Sequence, residues 1–264
     1  MPELPEVEAR KRYLEETSLA RTIDRVSVTD RRILEDTTPS ALGRALKGAR
    51  FESADRRAKY LLVRTDREST LLIHFGMTGD FFFRQRGEPK PKFSKVEFHF
   101  EGGSCLHFTD LRLFGKLAMY DTTDWALISD IAKLGPEPLG RGFTFRKFRD
   151  IVKGHRTTIH QLLMDQGLIA GIGNLYSDEI TYQAGVRPDR QTSSLSDAEI
   201  RRLYDMMKWV LRRAVELDAE LDDQADVFLL PNRGRDGQCP VTHDKLVKKT
   251  IGGRSSYYCP ACQK

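Results

Sequence analysis

The chain has 264 residues, 39% hydrophobic and 31% charged, which suits one large domain or two modest ones and excludes a disordered polymer. No apolar run reaches the roughly 18 residues of a membrane helix, and the acidic N-terminus lacks a secretory pattern, so a cytoplasmic protein is expected. The formal charge of +5 is concentrated in Arg233, Arg235, Lys245, Lys248, Lys249, Arg254 and Lys264, opposed there only by Asp236 and Asp244; with a pI near 9.0, this tail has the footprint expected for contact with a phosphate backbone.

Residues 5–16 read as a helix. From about 22 to 120 the chain is mostly short strands, at 56–64, 70–75, 80–84, 95–100, 104–108 and 116–120, punctuated by Gly and Asp. Residues 95–100 alternate cleanly, as in a half-buried antiparallel strand. Residues 86–92 form a proline-bearing loop that no strand tolerates. Past Leu134-Gly135-Pro136-Glu137-Pro138-Leu139 the pattern turns helical, with segments at 158–166 and 175–184. A capping box, Ser196 with Glu199, then opens a long amphipathic helix over 197–217. The expected organisation is a β-rich unit over 1–120, a linker over 121–145, a helical unit over 146–230 and a metal-bearing ribbon over 231–264.

Four groups of residues carry chemistry. At the start, Met1-Pro2-Glu3-Leu4-Pro5-Glu6 places a proline where loss of one methionine would free a secondary amine. Such an amine titrates at roughly 8 and can attack a carbonyl carbon to form an iminium ion. Glu3 and Glu6 lie within one turn of it, in reach for proton transfer; the plainer reading is a proline-started helix with acids at its positive end. In the tail, Cys239, His243, Cys259 and Cys262 have the spacing of a tetrahedral zinc site with no open position, so one structural Zn2+ per chain is expected. Gly252-Gly253 would turn the hairpin between the two halves of that site, setting Arg254 at its tip, where a guanidinium can grip phosphate. Cys105 lies apart and reads as a buried apolar side chain.

Two glycines in Gly171-Ile172-Gly173-Asn174 precede a helix start, a pattern that lets free N–H groups approach a phosphate; it also serves as an ordinary turn between helices. Lys59 follows Arg56-Arg57 at the mouth of an apolar strand. Residues 75–79 and 110–115 set large side chains, Met77, Arg112 and Phe114, beside glycines; exposed at loop tips, the apolar pair would make wedges for unstacking bases.

Together these residues resemble the formamidopyrimidine-DNA glycosylase and endonuclease VIII family of base-excision repair enzymes. The ordered motifs are Pro2-Glu3-Leu4-Pro5-Glu6-Val7-Glu8, Arg56-Arg57-Ala58-Lys59-Tyr60-Leu61-Leu62, His74-Phe75-Gly76-Met77-Thr78-Gly79, residues 134–139, Leu163-Met164-Asp165-Gln166 with Gly171-Ile172-Gly173-Asn174, and Arg254 through Lys264. They span nearly the whole chain and follow the formamidopyrimidine branch more closely. The resemblance implies an α+β multidomain fold: an N-terminal antiparallel β-sandwich flanked by helices, then a helix–two-turn–helix domain with a zinc-ribbon hairpin, and duplex DNA in the cleft between. It implies Pro2 as the nucleophile at C1′ of a flipped nucleotide, Glu3 as the proton donor that opens the sugar, and Glu6 in support. Lys59 would contact phosphate and assist β-elimination, Arg254 would hold phosphate and assist δ-elimination, and Asn174, Gly173 and His160 would contact DNA. Met77, Arg112 and Phe114 match the family's wedge.

The chain departs from the family pattern in three places. Thr242 stands where the second finger cysteine is usual, one residue before His243. His160 stands where lysine is usual, and the acidic stretch 218–237 lacks the usual Gly-, Thr- and Lys-bearing loop. The expected activity is excision of oxidised purines with AP-lyase cleavage, by a monomer on damaged double-stranded DNA. Endonuclease VIII-like action on oxidised pyrimidines or abasic sites, and a non-catalytic damage-binding protein of the same fold, are the alternatives; a zinc-ribbon protein acting on RNA would leave Pro2 and Glu3 without a role.

Overall fold

Two four-stranded antiparallel sheets dominate the first half of this computed structural model, which describes residues 1–234 and 236–264; Arg235, counted above in the basic tail, lies outside the described residues. The chain divides into two units, residues 1–2 with 6–132 and residues 3–5 with 133–264.

Helix α1 (Leu4–Ser18) opens the chain, and one sheet of the first unit runs β1 (Ile23–Val28), β6 (Ser94–Phe100), β7 (Cys105–Thr109), β5 (Asp80–Arg84). The other runs β2 (Phe51–Arg57), β3 (Tyr60–Thr65), β4 (Thr70–His74), β8 (Lys116–Tyr120). In β6 the alternation expected from sequence holds: Val96, Phe98 and Phe100 enter the core, and Lys95, Glu97 and His99 take the other face. Phe51 of β2 meets Phe98 and Phe100 edge-on, at 5.5 and 6.4 Å between ring centres, so the two sheets share one core. The unit also holds two helices absent from the sequence reading. α2 (Pro39–Leu46) starts from the Thr38 side chain, which accepts from Ala41 N–H, with proline at its first position; it buries Leu42 and Leu46. α3 (Ser129–Ala132) is a single turn.

The expected strand over 56–64 is two strands. Arg57 pairs with Tyr60 across a tight turn at Ala58 and Lys59. Ala58 takes a left-handed backbone, φ 54°, which an alanine adopts only at a cost of about 1–2 kcal/mol. Period-two patterning on both arms reads through such a turn, because neither arm carries the glycine or asparagine that usually marks it.

The second unit is helical: α4 (Phe145–Gly154), α5 (Ile159–Met164), α6 (Asn174–Gln183) and α7 (Asp197–Glu216). The α7 capping box is complete, with Ser196 Oγ accepting from Glu199 N–H and Glu199 accepting from Ser196 N–H. Ile200, Leu203, Met207, Val210, Leu211 and Ala214 bury one stripe of it against Ile172, Tyr176 and Ile180. A hairpin, β9 (Val247–Ile251) and β10 (Arg254–Tyr258), turns at Gly252 and Gly253, both at positive φ, as a two-residue type I′ turn requires. No described helix is long and apolar enough to cross a membrane.

Candidate active site and nucleic-acid interface

In the first unit Pro2 is buried and Glu6 half-buried. Lys59, 7% exposed, sits in the strained turn just described. Its charge, with that of Lys116, adds to burial in lowering the His74 pKa to about 4, so His74 is neutral at physiological pH.

The loops 75–79 and 110–115 are laced together by one residue the sequence did not single out. Asp110, fully buried, accepts from Thr78 Oγ1 at 2.5 Å, Arg112 N–H at 3.0 Å and Gly115 N–H at 2.7 Å. Gly76, at φ 60°, lies so close to the other loop that a Cβ there would come within 2.3 Å of the Phe114 backbone. The consequence is a rigid base with exposed tips: Met77 and Phe114 remain 37% and 51% exposed, and the Arg112 guanidinium lies 5.0 Å over the Phe114 ring. Large apolar groups held outward in this way are what a base-stack wedge requires.

In the second unit Glu3 is 1% exposed, and its carboxylate takes the N-terminus of α6. It accepts from Gly173 N–H at 2.5 Å, Leu175 N–H at 2.8 Å and Tyr176 N–H at 3.4 Å, while Leu4 N–H donates to Gly171 O. The expectation that these N–H groups lie open to a phosphate is therefore corrected. They hold the chain's own carboxylate, for the same reason that the helix end attracts any anion. Asn174 is likewise engaged, donating from Nδ2 to Ser255 O of the hairpin at 2.8 Å, and its Oδ1 is buried without a partner.

Arg254, exposed at the start of β10, borders a cavity of 460 Å³ with His155, Arg156, His160 and Gln161. The hairpin turn presses on α5, since a Cβ on Gly252 would fall 2.7 Å from the Gln161 amide. His160 is fully buried, with neither ring nitrogen hydrogen-bonded and Nε2 3.6 Å from Asp178 Oδ1. Burial, reinforced by Arg233, lowers its pKa to about 4, so it brings no positive charge to this cavity at neutral pH.

What fixes the hairpin is Asp178 of α6, also missed in the sequence. It is fully buried and accepts from Ser256 Oγ at 2.5 Å, Tyr257 N–H at 2.9 Å and Arg233 Nε at 2.8 Å. Burial pushes its carboxyl up, against the pull of Arg233 and the two hydrogen-bond donors of β10. Glu179 beside it accepts from Leu229 and Leu230 N–H, and burial raises its pKa to about 7. Through it Leu229 and Leu230 are tied to α6, with Phe228 buried under Trp209 at 5.4 Å between rings.

The sulfur atoms of Cys239, Cys259 and Cys262 lie within 4.8 Å of one another. His243 does not join them. The turn directs Thr242 inward, its Oγ1 3.5 Å from Cys259 Sγ and its N–H 3.5 Å from Cys239 Sγ, while His243 is exposed with φ 59° and donates its N–H to Cys239 O. Tyr182 of α6 reaches Cys239 Sγ at 3.3 Å, tying the cluster to the helical core. Three convergent thiols suit a soft, tetrahedral ion such as zinc. Cys105 stands apart and is buried, as read from sequence.

Comparison with known proteins accords with this geometry. The sequence profile of the formamidopyrimidine-DNA glycosylase N-terminal domain matches residues 1–117, and that of the same family's H2TH domain matches residues 134–224. A Heliobacterium modesticaldum protein named formamidopyrimidine-DNA glycosylase is 34% identical over 282 residues, covering 100% of both chains. The crystal structure of the Lactococcus lactis enzyme non-covalently bound to DNA containing an AP site superposes with a TM-score of 0.89, at 29% identity over 99% of each chain. The same enzyme with DNA containing FAPY-dG gives 0.89 at 28% identity, over 99% of this chain and 100% of the other. With full-length identity of this order, two profiles in the right order and the same three-dimensional arrangement, the chain belongs to the formamidopyrimidine-DNA glycosylase family.

Proposed function

We propose that this protein excises oxidised purines from double-stranded DNA as a base-excision repair glycosylase and then cuts the strand as an AP lyase, acting as a monomer in the cytoplasm, and at the nucleoid in a prokaryotic cell. The observation that carries the reading is Glu3. A buried carboxylate at the third position, gripped by three N–H groups of the family's H2TH domain, gives the residue beside Pro2 a fixed place. After loss of Met1, the Pro2 nitrogen attacks C1′ of the damaged nucleotide. Glu3 supplies the proton that opens the sugar, and the base departs. The resulting iminium acidifies the C2′–H. Loss of that proton expels the 3′ phosphate, and a second elimination expels the 5′ phosphate. Lys59 and Arg254 each place a cation for a backbone phosphate, and Glu6 supports proton movement near Pro2. Met77, Arg112 and Phe114 fill the space left by the flipped nucleotide, while Gly173 and Asn174 act on the DNA indirectly, by fixing Glu3 and the hairpin.

Zinc completes the ribbon. Cys239, Cys259 and Cys262 would hold it, and His243, exposed one residue beyond the inward Thr242, would have to turn toward the sulfurs to serve as fourth donor; an imidazole is a far better ligand than the Thr242 hydroxyl beside three thiolates. Bound there, the ion stabilises the hairpin that carries Arg254.

Borohydride trapping tests the reaction. Reduction of the iminium fixes protein to DNA through Pro2, and peptide mass spectrometry locates the bond. A duplex with 8-oxoguanine or formamidopyrimidine should give the adduct from the correctly processed protein, and an N-terminal extension of one residue should abolish it. Efficient strand cleavage by the extended protein would overturn the assignment.

A further inference from the structure

The outer face of the β1–β6–β7–β5 sheet carries a second group of metal-binding side chains, remote in sequence from the thiols of the ribbon. Antiparallel register sets Glu97 opposite His107 and His99 opposite Cys105, one rung either side of the core-facing Phe98–Leu106 pair, so on this face β6 and β7 present a square of one carboxylate, two imidazoles and one thiol. The ligand atoms of Glu97, Cys105 and His107 already lie within 4.8 Å of one another.

A sheet face turned from the core is normally wet, yet these three side chains are 9%, 8% and 4% exposed. Residues 85–93 help to cover them. Lys90 Nζ in that segment reaches Glu97 Oε1 at 2.5 Å, and Arg86 packs beside Gly103 at the end of the β6–β7 hairpin. Phe82 of β5 flanks His107 on the far side.

We propose that Glu97, Cys105 and His107, with His99 as fourth donor, form a second zinc-class site in the N-terminal sheet. The donor set of one sulfur, two nitrogens and one oxygen is that of a borderline divalent ion in tetrahedral coordination. Support from outside the ligands is present. Ser94 Oγ bonds His107 Nδ1 at 3.0 Å, which fixes that ring and leaves Nε2 for the ion. Arg25 meets His99 Nδ1 at 3.4 Å, and His99 Nε2 already lies 3.4 Å from Glu97 Oε2 and 3.3 Å from Ser27 Oγ. The buried Glu97 carboxylate calls for a balancing positive charge, which an ion at this site would supply. Lys90, half exposed, fills that role toward Glu97. The exchange is balanced: the ion enters, Cys105 releases its thiol proton to solvent, and the Lys90 ammonium swings away from Glu97.

The test is metal stoichiometry on the full-length, tag-free protein, loaded with excess zinc, dialysed and measured by plasma mass spectrometry. Wild type should retain one equivalent more than C105V/H107Q. Equal retention by the two proteins would overturn the proposal. A second arm does not depend on that core variant folding. K90M, altered at an exposed position, removes the competing ammonium and should tighten zinc binding to this site by about threefold or more in a chelator competition. An unchanged affinity would overturn the proposal equally.

Discussion

Truncating Asp178 to alanine tests how the H2TH domain positions the hairpin. The carboxylate accepts from Arg233 Nε, Ser256 Oγ and Tyr257 N–H, and it is wholly buried beside a guanidinium that is 15% exposed. Removing one partner of a buried ion pair leaves the other uncompensated and costs about 3–5 kcal/mol. For a unit of this size that lowers the unfolding temperature by on the order of 10 °C. D178N keeps an acceptor for Ser256 but loses the charge, so about half that loss is expected. The functional consequence is specific. β10 begins at Arg254, so loosening it should impair the second elimination more than the first. Thermal unfolding followed by circular dichroism gives the first quantity; a denaturing gel that separates β from β,δ products gives the second. Should D178A unfold within about 2 °C of wild type, or keep the wild-type product ratio, Asp178 does not hold the hairpin.

Glu3→Gln would turn an amide NH2 toward the N–H donors of α6. It should cost about 2 kcal/mol in stability and slow excision of a damaged base by about 100-fold or more in single-turnover assays; near-normal excision would remove Glu3 from the mechanism. His160→Lys adds a cation next to Arg254, so the salt dependence of DNA binding should steepen by about one phosphate contact, whereas H160Q should leave the slope unchanged. H243A should release zinc to a chelator faster than T242A; the reverse order would make Thr242 the fourth donor. Finally, pH acts on stability through three groups with opposed signs, His160 and Glu179 fully buried and His74 half-buried. His74 and His160, with folded pKa values lowered to about 4, add stability that is complete above 6.5 and lost as pH falls through 4. Glu179, raised to about 7, adds stability that is complete below 4.5 and lost as pH rises through 7. From these three, stability should fall by about 1.4 kcal/mol per unit between pH 6.5 and 4.5. E179Q should roughly double that slope, and H160Q should nearly flatten it, in urea titrations across the range.

What could be read from the chain was whatever repeats at a short period or sits at fixed spacing. β5 and β8 match their expected bounds, and α7 is one residue shorter than expected because its capping box and apolar stripe are both local signals. The Gly252-Gly253 turn and the three thiols follow from spacing in the same way. The Ala58–Lys59 turn escaped because its left-handed residue is an alanine, held there by the pairing of Arg57 with Tyr60 and not by its own preference. His243 illustrates the converse. Spacing proposes a ligand, but the hydrogen bond from its N–H to Cys239 O decides which of two adjacent side chains faces the sulfurs.

Asp110, Asp178 and Glu179 were illegible for a common physical reason. In sequence an aspartate before a loop, or two acids in mid-helix, reads as a solvated face. Each of these is buried, and each is stabilised by donors far along the chain: Asp110 by Thr78, Asp178 by Arg233, Ser256 and Tyr257, Glu179 by Leu229 and Leu230. A carboxylate that collects backbone N–H groups from a distant segment works as a clasp, since it is costly to bury alone and favourable only when those segments arrive together. Glu3 is the same device: the donors that fix it at the α6 N-terminus are fixed in turn by the fold, so the position of the residue next to Pro2 is set by the H2TH domain and not by the flexibility of a chain end.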